Sequence, residues 1–255
     1  MEVGNGRAAN EETAVKPYEI LNKVRASKTP SQNSEKLVTF INPYSYLQAR
    51  RDTGLFTAFD EINIDGILLV KFLRFFGVVN VSRKSFDMTS LAGNVFSCVE
   101  QGRLRIYFIG AKKGVIDKAV AVIQDAYPSI EVCGYRDGYF ASVQERDSAL
   151  QTIKNVDPDI VVCGMGTGVQ EAFLTDLRSM DWHGTGYTCG GFLHQSSDGN
   201  LHYYPQWIDR YHLRWAYRIS QEPKLFRRYT VDYLKFVFIF LHDALRWHAD
   251  RWLKK

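Results

Sequence analysis

DIVVCGMGTGVQEAFLTDLRSM, residues 159–180, reads as a strand, a glycine-rich turn and a helix in immediate succession. DIVVCG (159–164) is the apolar, β-branched run of a buried strand, GMGTGVQE (164–171) holds the turn, and 169–180 reads as a helix. The same order recurs on both sides. RIYFIG (105–110) is a strand followed by GAKKG (110–114) and a helix over 114–127, where Val115, Ala119, Val122, Ile123 and Ala126 keep helical spacing. EVCGY (131–135) leads into a helix over 143–155, and GYTCGG (186–191) is a further strand with a glycine turn. Strands alternating with helices of this length imply parallel strands joined by right-handed crossovers. The fold class is therefore α/β with a Rossmann-like parallel sheet, and ligands are expected at the carboxyl ends of its strands.

Nearer the N-terminus, LVTFIN (37–42) reads as a buried strand and 43–52 as a helix. NIDG (63–66) follows, then a buried helix over GILLVKFLRFFG (66–77), the polar link SRKSFD (82–87) and a helix over 88–101. Residues 1–34 are polar, without apolar periodicity, and read as a flexible arm. Beyond residue 202 the alternation stops. PQWIDRYHLRWAYRISQEP (205–223) reads as one helix and a second runs from about Leu225 towards Trp252. The expected organisation is an arm (1–34), an α/β core (35–202) and a basic, aromatic helical appendage (203–255).

Charge separates the appendage from the core. The last fifty residues hold 11 of the 32 Lys and Arg but only 5 of the 28 Asp and Glu, so they carry more than the whole formal charge of +4. Basic side chains interleaved with Trp, Tyr and Phe suit an anionic surface or ligand: a membrane leaflet, a nucleic acid or phosphates. The four cysteines form no CxxC pair, which argues against a zinc or redox motif and for reduced thiols. No basic region followed by an apolar run opens the chain, so no signal peptide is expected. The longest apolar run, FVFIFL (236–241), is far short of the roughly 20 residues of a membrane-spanning helix.

Three glycine turns follow successive strands: GAKKG (110–114), GMGTGVQE (164–171) and CGG (189–191). Glycines there let backbone N–H groups approach a phosphate at a helix N-terminus, although such turns also need glycine for positive φ. Their recurrence at adjacent strand ends favours a nucleotide diphosphate. No complete GxGxxG with a downstream acid is present, which weakens a dinucleotide site. Asp65 is placed either to cap the helix beginning at Gly66 or to act as a general base, and Thr39 and Asn42 lie near enough in the pattern to share a cleft with it. DPD (157–159) imitates a metal-binding DxD but precedes its strand, at the end away from the expected site, and the six histidines show no ligand spacing, so no metal is expected. In the appendage Arg210, Arg214 and Arg218 recur every four residues beside Trp207, Tyr211 and Trp215, with Arg227 and Arg228 beyond.

Taken in order, VTFIN, NIDG, FIGAKKG, RDGYF, GMGTGVQE, CGGF and WIDRYHLRWAYRISQEPKLFRRY resemble the WecG/TagA/CpsF glycosyltransferase family, over roughly residues 35 to 235. The resemblance implies an inverting, metal-independent enzyme of bacterial surface-polymer or exopolysaccharide assembly. It would act at the cytoplasmic face of the membrane, as a peripheral protein, moving a sugar from a UDP-sugar to a polyprenyl-diphosphate-linked saccharide. By position it implies Asp65 as catalytic base and Thr39 as active-site threonine. Asn42, Gly110, Gly164, Gly166, Gln170, Glu171 and Gly190 would form the nucleotide site. Arg214, Arg218, Arg227 and Arg228 would close over the diphosphate, supplying charge that a cation supplies elsewhere. No cofactor is expected, and association into a homo-oligomer stays open.

Two departures stand out: Gly168 replaces the family's usual proline in GxGxPxQE, and His194 its usual aspartate after GGxF. Both are expected near the donor, so a neutral hexose such as glucose is plausible in place of N-acetylmannosamine or its uronic acid. Readings from other classes are a Rossmann oxidoreductase and a nucleic-acid-binding module. The missing dinucleotide fingerprint and the lack of a reader motif weigh against them.

Overall fold

The computed structural model describes residues 15–26, 35–78, 81–197, 199, 201, 203–211 and 213–253, save the side chains of Ala26, Gln206 and Asp209. Its centre is a parallel sheet of β1 (Leu37–Ile41), β2 (Glu61–Ile64), β3 (Arg105–Gly110), β4 (Glu131–Arg136), β5 (Ile160–Gly164) and β6 (Thr185–Thr188), in the order β2-β1-β6-β5-β3-β4. Alternate residues face opposite layers. Ile106 and Phe108 pack under α5 (Ala92–Gly102), α6 (Val115–Ala126) and α9 (Phe192–Ser196), while Tyr107 and Ile109 pack under α7 (Val143–Val156) and α8 (Val169–Ser179). Burial on both faces explains why β1, β3 and β5 read as nearly unbroken apolar runs.

A third cluster closes the β2 edge. It joins α1 (Glu19–Ala26), α2 (Pro43–Ala49), α3 (Thr53–Thr57) and α4 (Ile67–Phe75) to α12 (Tyr233–Leu253). From α12, Phe236, Phe240, Ala244 and Trp247 are fully buried, and the two phenylalanines meet Tyr46 and Phe72 edge-on. Burying each such aromatic contributes about 1.5–3 kcal/mol, so α12 is packed firmly against the core. The buried Asp243 carboxylate accepts from Arg50 Nε at 2.8 Å and from the Tyr46 hydroxyl at 3.1 Å, which fixes α12 on α2.

Several segment expectations are corrected. Of the arm, residues 1–14 and 27–34 lie outside the described residues, but Ile20, Leu21 and Val24 of α1 are buried in the core. Trp247 Nε1 donates to Asn22 at 2.6 Å, tying α1 to α12. The helix expected over 43–52 ends at Ala49, and a separate α3 starts at Thr53. The helix expected over 205–223 divides into α10 (Gln206–Arg210) and α11 (Arg214–Gln221), and a π-helical turn at Arg228–Asp232 precedes α12. Among the described residues no helix is long and apolar enough to cross a membrane.

Candidate active site

The carboxyl ends of β1, β2, β5 and β6 open into one cleft of about 940 Å³, roofed by α11 and the π-helical turn. It lies where the strand order reverses around β1, the usual ligand position of an open parallel sheet. Asn42, Asp65, Gly166, Gln170, Gly190, Arg214, Arg218 and Arg228 line it together. Thr39, Gly110, Gly164, Glu171 and Arg227 do not.

Asp65 follows β2, and its backbone N–H donates to Ile41 O at 2.8 Å, pinning it beside the end of β1. The cap of α4 is Gly66, without any side-chain hydrogen bond, so Asp65 is not the capping residue. Its carboxyl keeps 40% of its surface open, but open to the cleft. Removal from bulk water raises its pKa above the usual aspartate value. Arg83 opposes that shift, Asp87 adds to it, and Arg214 and Arg218 oppose it further. Arg83 Nη2 stands 3.5 Å from the Asp65 carboxylate, leaving it only loosely paired. A partly desolvated carboxylate of raised pKa suits proton abstraction.

Thr39 and Glu171 sit beneath the cleft floor, both completely buried. The Thr39 hydroxyl donates to Glu171 Oε1 at 2.8 Å and accepts from Thr188 at 3.0 Å. Glu171 Oε2 accepts from the Gly168 N–H at 2.6 Å, and Gln170 Nε2 donates to Glu171 Oε1 at 3.1 Å. Gln170 Oε1 in turn accepts from the Gly190 N–H at 3.2 Å, so one network joins β1, β6 and the turn after β5. Burial raises the Glu171 pKa against these donors.

The three glycine turns serve different ends. A Cβ on Gly110 would fall 2.4 Å from Gly164 O, and one on Gly164 would fall 2.7 Å from Cys189 Sγ. Those two glycines let neighbouring strand ends pack, while Gly166 and Gly190 face the cleft. Gly168 has φ +89°, which a proline held near −65° cannot adopt, and its N–H is committed to Glu171. His194, in α9, is exposed and outside the cleft, whereas its neighbours Gly191, Phe192 and Gln195 line it. Of the DPD sequence, Asp159 accepts from the Arg105 N–H at 2.7 Å at the opposite end of the sheet. Among the described residues no three His, Cys, Asp or Glu side chains gather to hold a metal ion.

Positive charge comes from two sides. Arg214 and Arg218, one turn apart on α11, and Arg228 from the π-helical turn supply the roof; Arg83 supplies the wall. Arg218 is bonded to Glu222 at 2.8 Å, but its Nε is buried without a hydrogen-bond partner among the described residues. Arg228 lies 4.1 Å above the Tyr44 ring, and its Nε is likewise buried and unpartnered among the described residues. Buried donors left unpaired cost free energy. The break after α10 leaves Arg210 exposed and away from the cleft, as is Arg227.

The sequence pattern did not reveal Arg83, Asp87, Tyr204, Tyr229 or Tyr233, all of which line the cleft. Asp87 is the most connected. Its carboxylate accepts from Arg214 at 2.6 Å, Arg83 at 3.0 Å, and Ser85 and Thr89 at 2.6 Å each. Burial alone would raise it, but Arg214, these hydroxyls and Arg83 together bring its pKa down to about 2. The three tyrosines are raised above the usual phenol value, chiefly by burial.

Comparison with known proteins places this site in context. A 36% identical relative over 209 residues, 82% of this chain and 87% of that protein, is the UDP-Gal:alpha-D-GlcNAc-diphosphoundecaprenol beta-1,4-galactosyltransferase of Shigella boydii. An N-acetylglucosaminyldiphosphoundecaprenol N-acetyl-beta-D-mannosaminyltransferase of Bacillus subtilis is 30% identical over 202 residues, 75% of this chain and 74% of that one. The family model matches residues 12–250, taking in α1, the cleft and nearly all of α12, and the chain belongs to the glycosyl transferase WecG/TagA/CpsF family.

Proposed function

We propose that this chain transfers a hexose from a UDP-sugar to a saccharide carried on polyprenyl diphosphate, with inversion and without a metal ion. The observation that carries the reading is a loosely paired carboxylate of raised pKa, Asp65, in the same cleft as Arg214, Arg218 and Arg228.

Asp65 takes the proton of the acceptor hydroxyl as its oxygen attacks the anomeric carbon from the face opposite UDP. The carbon–oxygen bond to UDP breaks in the same displacement, so the configuration inverts. The β-phosphate leaves with negative charge, which the guanidiniums of Arg214, Arg218 and Arg228, all lining the cleft, meet. These arginines would supply the charge that a divalent cation supplies in other transferases. Asp65 then releases its proton to water.

The acceptor class follows the two relatives, both named for N-acetylglucosaminyl-diphosphoundecaprenol substrates. A neutral hexose donor, galactose or glucose, is favoured because the 36% identical relative is named for UDP-Gal; N-acetylmannosamine is the alternative, from the 30% identical relative. Work at the inner face of a bacterial membrane suits such an acceptor. Trp207, Tyr211, Trp215, Phe226 and Phe238 are exposed on the basic C-terminal segment, and we assign this surface to the anionic leaflet.

The test is release of UDP from a panel of UDP-sugars, with and without N-acetylglucosaminyl-diphosphoundecaprenol. Acceptor-dependent release is expected with UDP-Gal or UDP-Glc and should persist in excess EDTA. Acceptor-dependent release only from UDP-N-acetylmannosamine would overturn the hexose assignment. No acceptor-dependent release with any donor would overturn the transferase reading.

A further inference from the structure

Two arginines of the cleft reach it from different parts of the chain, Arg83 from the link after α4 and Arg214 from α11, and both end on one carboxylate oxygen, Asp87 Oδ2. The other oxygen, Oδ1, accepts from the hydroxyl of Thr89 at 2.6 Å and from its N–H at 2.9 Å. Arg214 also bonds the Thr89 hydroxyl and lies over the Tyr204 ring at 4.3 Å, while Arg83 bonds Ser85 at 2.6 Å. Asp87 and Arg214 are each only about one-sixth exposed at the side chain, at 15% and 17%, so solvent does little to screen their bond.

On the reading given under Proposed function, we infer that Asp87 is a positioning residue: it holds Arg83 and Arg214 across the cleft so that the donor diphosphate meets a preassembled cationic wall and roof. An arginine side chain has many rotamers, and anchoring it before the ligand arrives removes that ordering cost from binding. The shared carboxylate also joins α11 to the core, so the roof is set relative to Asp65 by a contact outside the reacting centre. Its first effect on the chemistry is through those two guanidiniums.

The same geometry gives Asp87 a second effect. The charged and titratable groups facing Asp65 are Arg83 and Asp87 from the link, Arg214, Arg218 and Glu222 from α11 and its end, and Tyr204, Tyr229 and Tyr233. Asp87 is the anion among them that raises Asp65. Neutralising Asp87 removes that repulsion and frees Arg83 to pair more closely with Asp65, and both changes lower the Asp65 pKa.

The experiment compares the full chain with Asp87→Asn and Asp87→Glu, using UDP affinity by titration calorimetry and the pH profile of kcat/KM with UDP-hexose and the lipid-linked acceptor. Some loss of thermal stability is expected in Asp87→Asn, so both readouts are taken well below its melting temperature. UDP affinity should fall by about ten-fold or more in Asp87→Asn, as for a broken buried charge pair. The acid limb of kcat/KM should move to lower pH, and Asp87→Glu should recover part of the UDP affinity. Wild-type UDP affinity and an unmoved acid limb in Asp87→Asn would overturn the inference. So would equal losses in both variants that merely track their melting temperatures, since a role in folding alone predicts that. A wild-type chain that binds UDP but transfers no sugar would overturn the transferase reading, and the UDP affinities would still decide the role of Asp87.

Discussion

The Thr39 hydroxyl donates a 2.8 Å hydrogen bond to Glu171 Oε1, and both side chains are sealed beneath the floor of the cleft. Residues 132 positions apart thus join β1 to the start of α8, with Thr188 of β6 bonded to the same hydroxyl. A threonine and an acid expected at the reacting centre and nucleotide turn instead support them from below. The floor they hold carries Gln170 and Gly190, which face the ligand space.

Replacing Thr39 with valine keeps the shape and removes the hydroxyl, leaving Thr188 and Glu171 short of partners in a dry interior. The expected loss is about 1–3 kcal/mol of stability. Glu171→Gln should cost a similar amount, because its three donors would then face a group that is half donor itself. Thr39→Ser should stay close to wild type. Chemical denaturation checks all three. If Thr39→Val abolished turnover at unchanged stability and UDP affinity, Thr39 would be acting in the reaction and not under it.

Asp65→Asn should lower kcat by about 10²–10⁴-fold, the usual worth of a positioned general base, with UDP affinity nearly unchanged. The pH dependence follows from the raised pKa. The base works ionised, so kcat/KM should fall as pH drops through a midpoint above the ordinary aspartate value of about 3.9. In Asp65→Asn that acid limb should be absent from the residual rate. Rapid-quench transfer assays across pH measure both, and an acid limb retained in the variant would assign the base elsewhere.

The strand–turn–helix units of β3 and β5 were legible because each strand is an apolar run buried on both faces and ending in glycine, and β4, a more exposed edge strand, was legible from its place in that alternation. β2 was not, since its four residues include buried Glu61 and Asn63 and imitate a polar turn. Nor was α1, whose three buried apolar residues are too few to stand out among polar neighbours. Asp65, Gln170 and the roof arginines could be picked out because they occupy strand ends or a helical stripe. Arg83 and Asp87 sit in an aperiodic link, and only the fold brings them within 3.0 Å of each other and Asp87 within 2.6 Å of Arg214. The tail's continuous helical spacing concealed the division into α10 and α11, which is why Arg210 turns away from the cleft while Arg214 and Arg218 face it.

Arg218→Ala and Arg228→Ala should each weaken UDP binding by about 1.5–3 kcal/mol, the worth of a hydrogen bond to a charged group, while uridine binding changes little. Arg228→Lys should recover only part of the loss, since an ammonium lacks the planar fork and stacks less well over Tyr44. Calorimetric titration of UDP and uridine separates the two contributions. Equal losses for both ligands would place these arginines on the nucleoside and not on the phosphates.

Removing everything after Pro205 would not isolate a membrane-binding segment, because it would strip Phe236, Phe240 and Trp247 from the core and uncover Tyr46 and Phe72. Surface substitutions avoid that confusion. Phe226 and Phe238 are 59% and 66% exposed, so Phe226→Ser with Phe238→Ser should leave the melting temperature nearly unchanged. Burying such side chains in a bilayer interface is worth about 1.5–3 kcal/mol each, so the pair should lower partitioning onto anionic vesicles by at least ten-fold. Basic residues of the same segment add attraction that salt screens, so binding of the wild-type chain should also weaken as ionic strength rises. Co-sedimentation with phosphatidylglycerol-containing and purely zwitterionic vesicles measures both effects. Equal binding of the double variant and the wild type would move the membrane-facing surface away from this part of the chain.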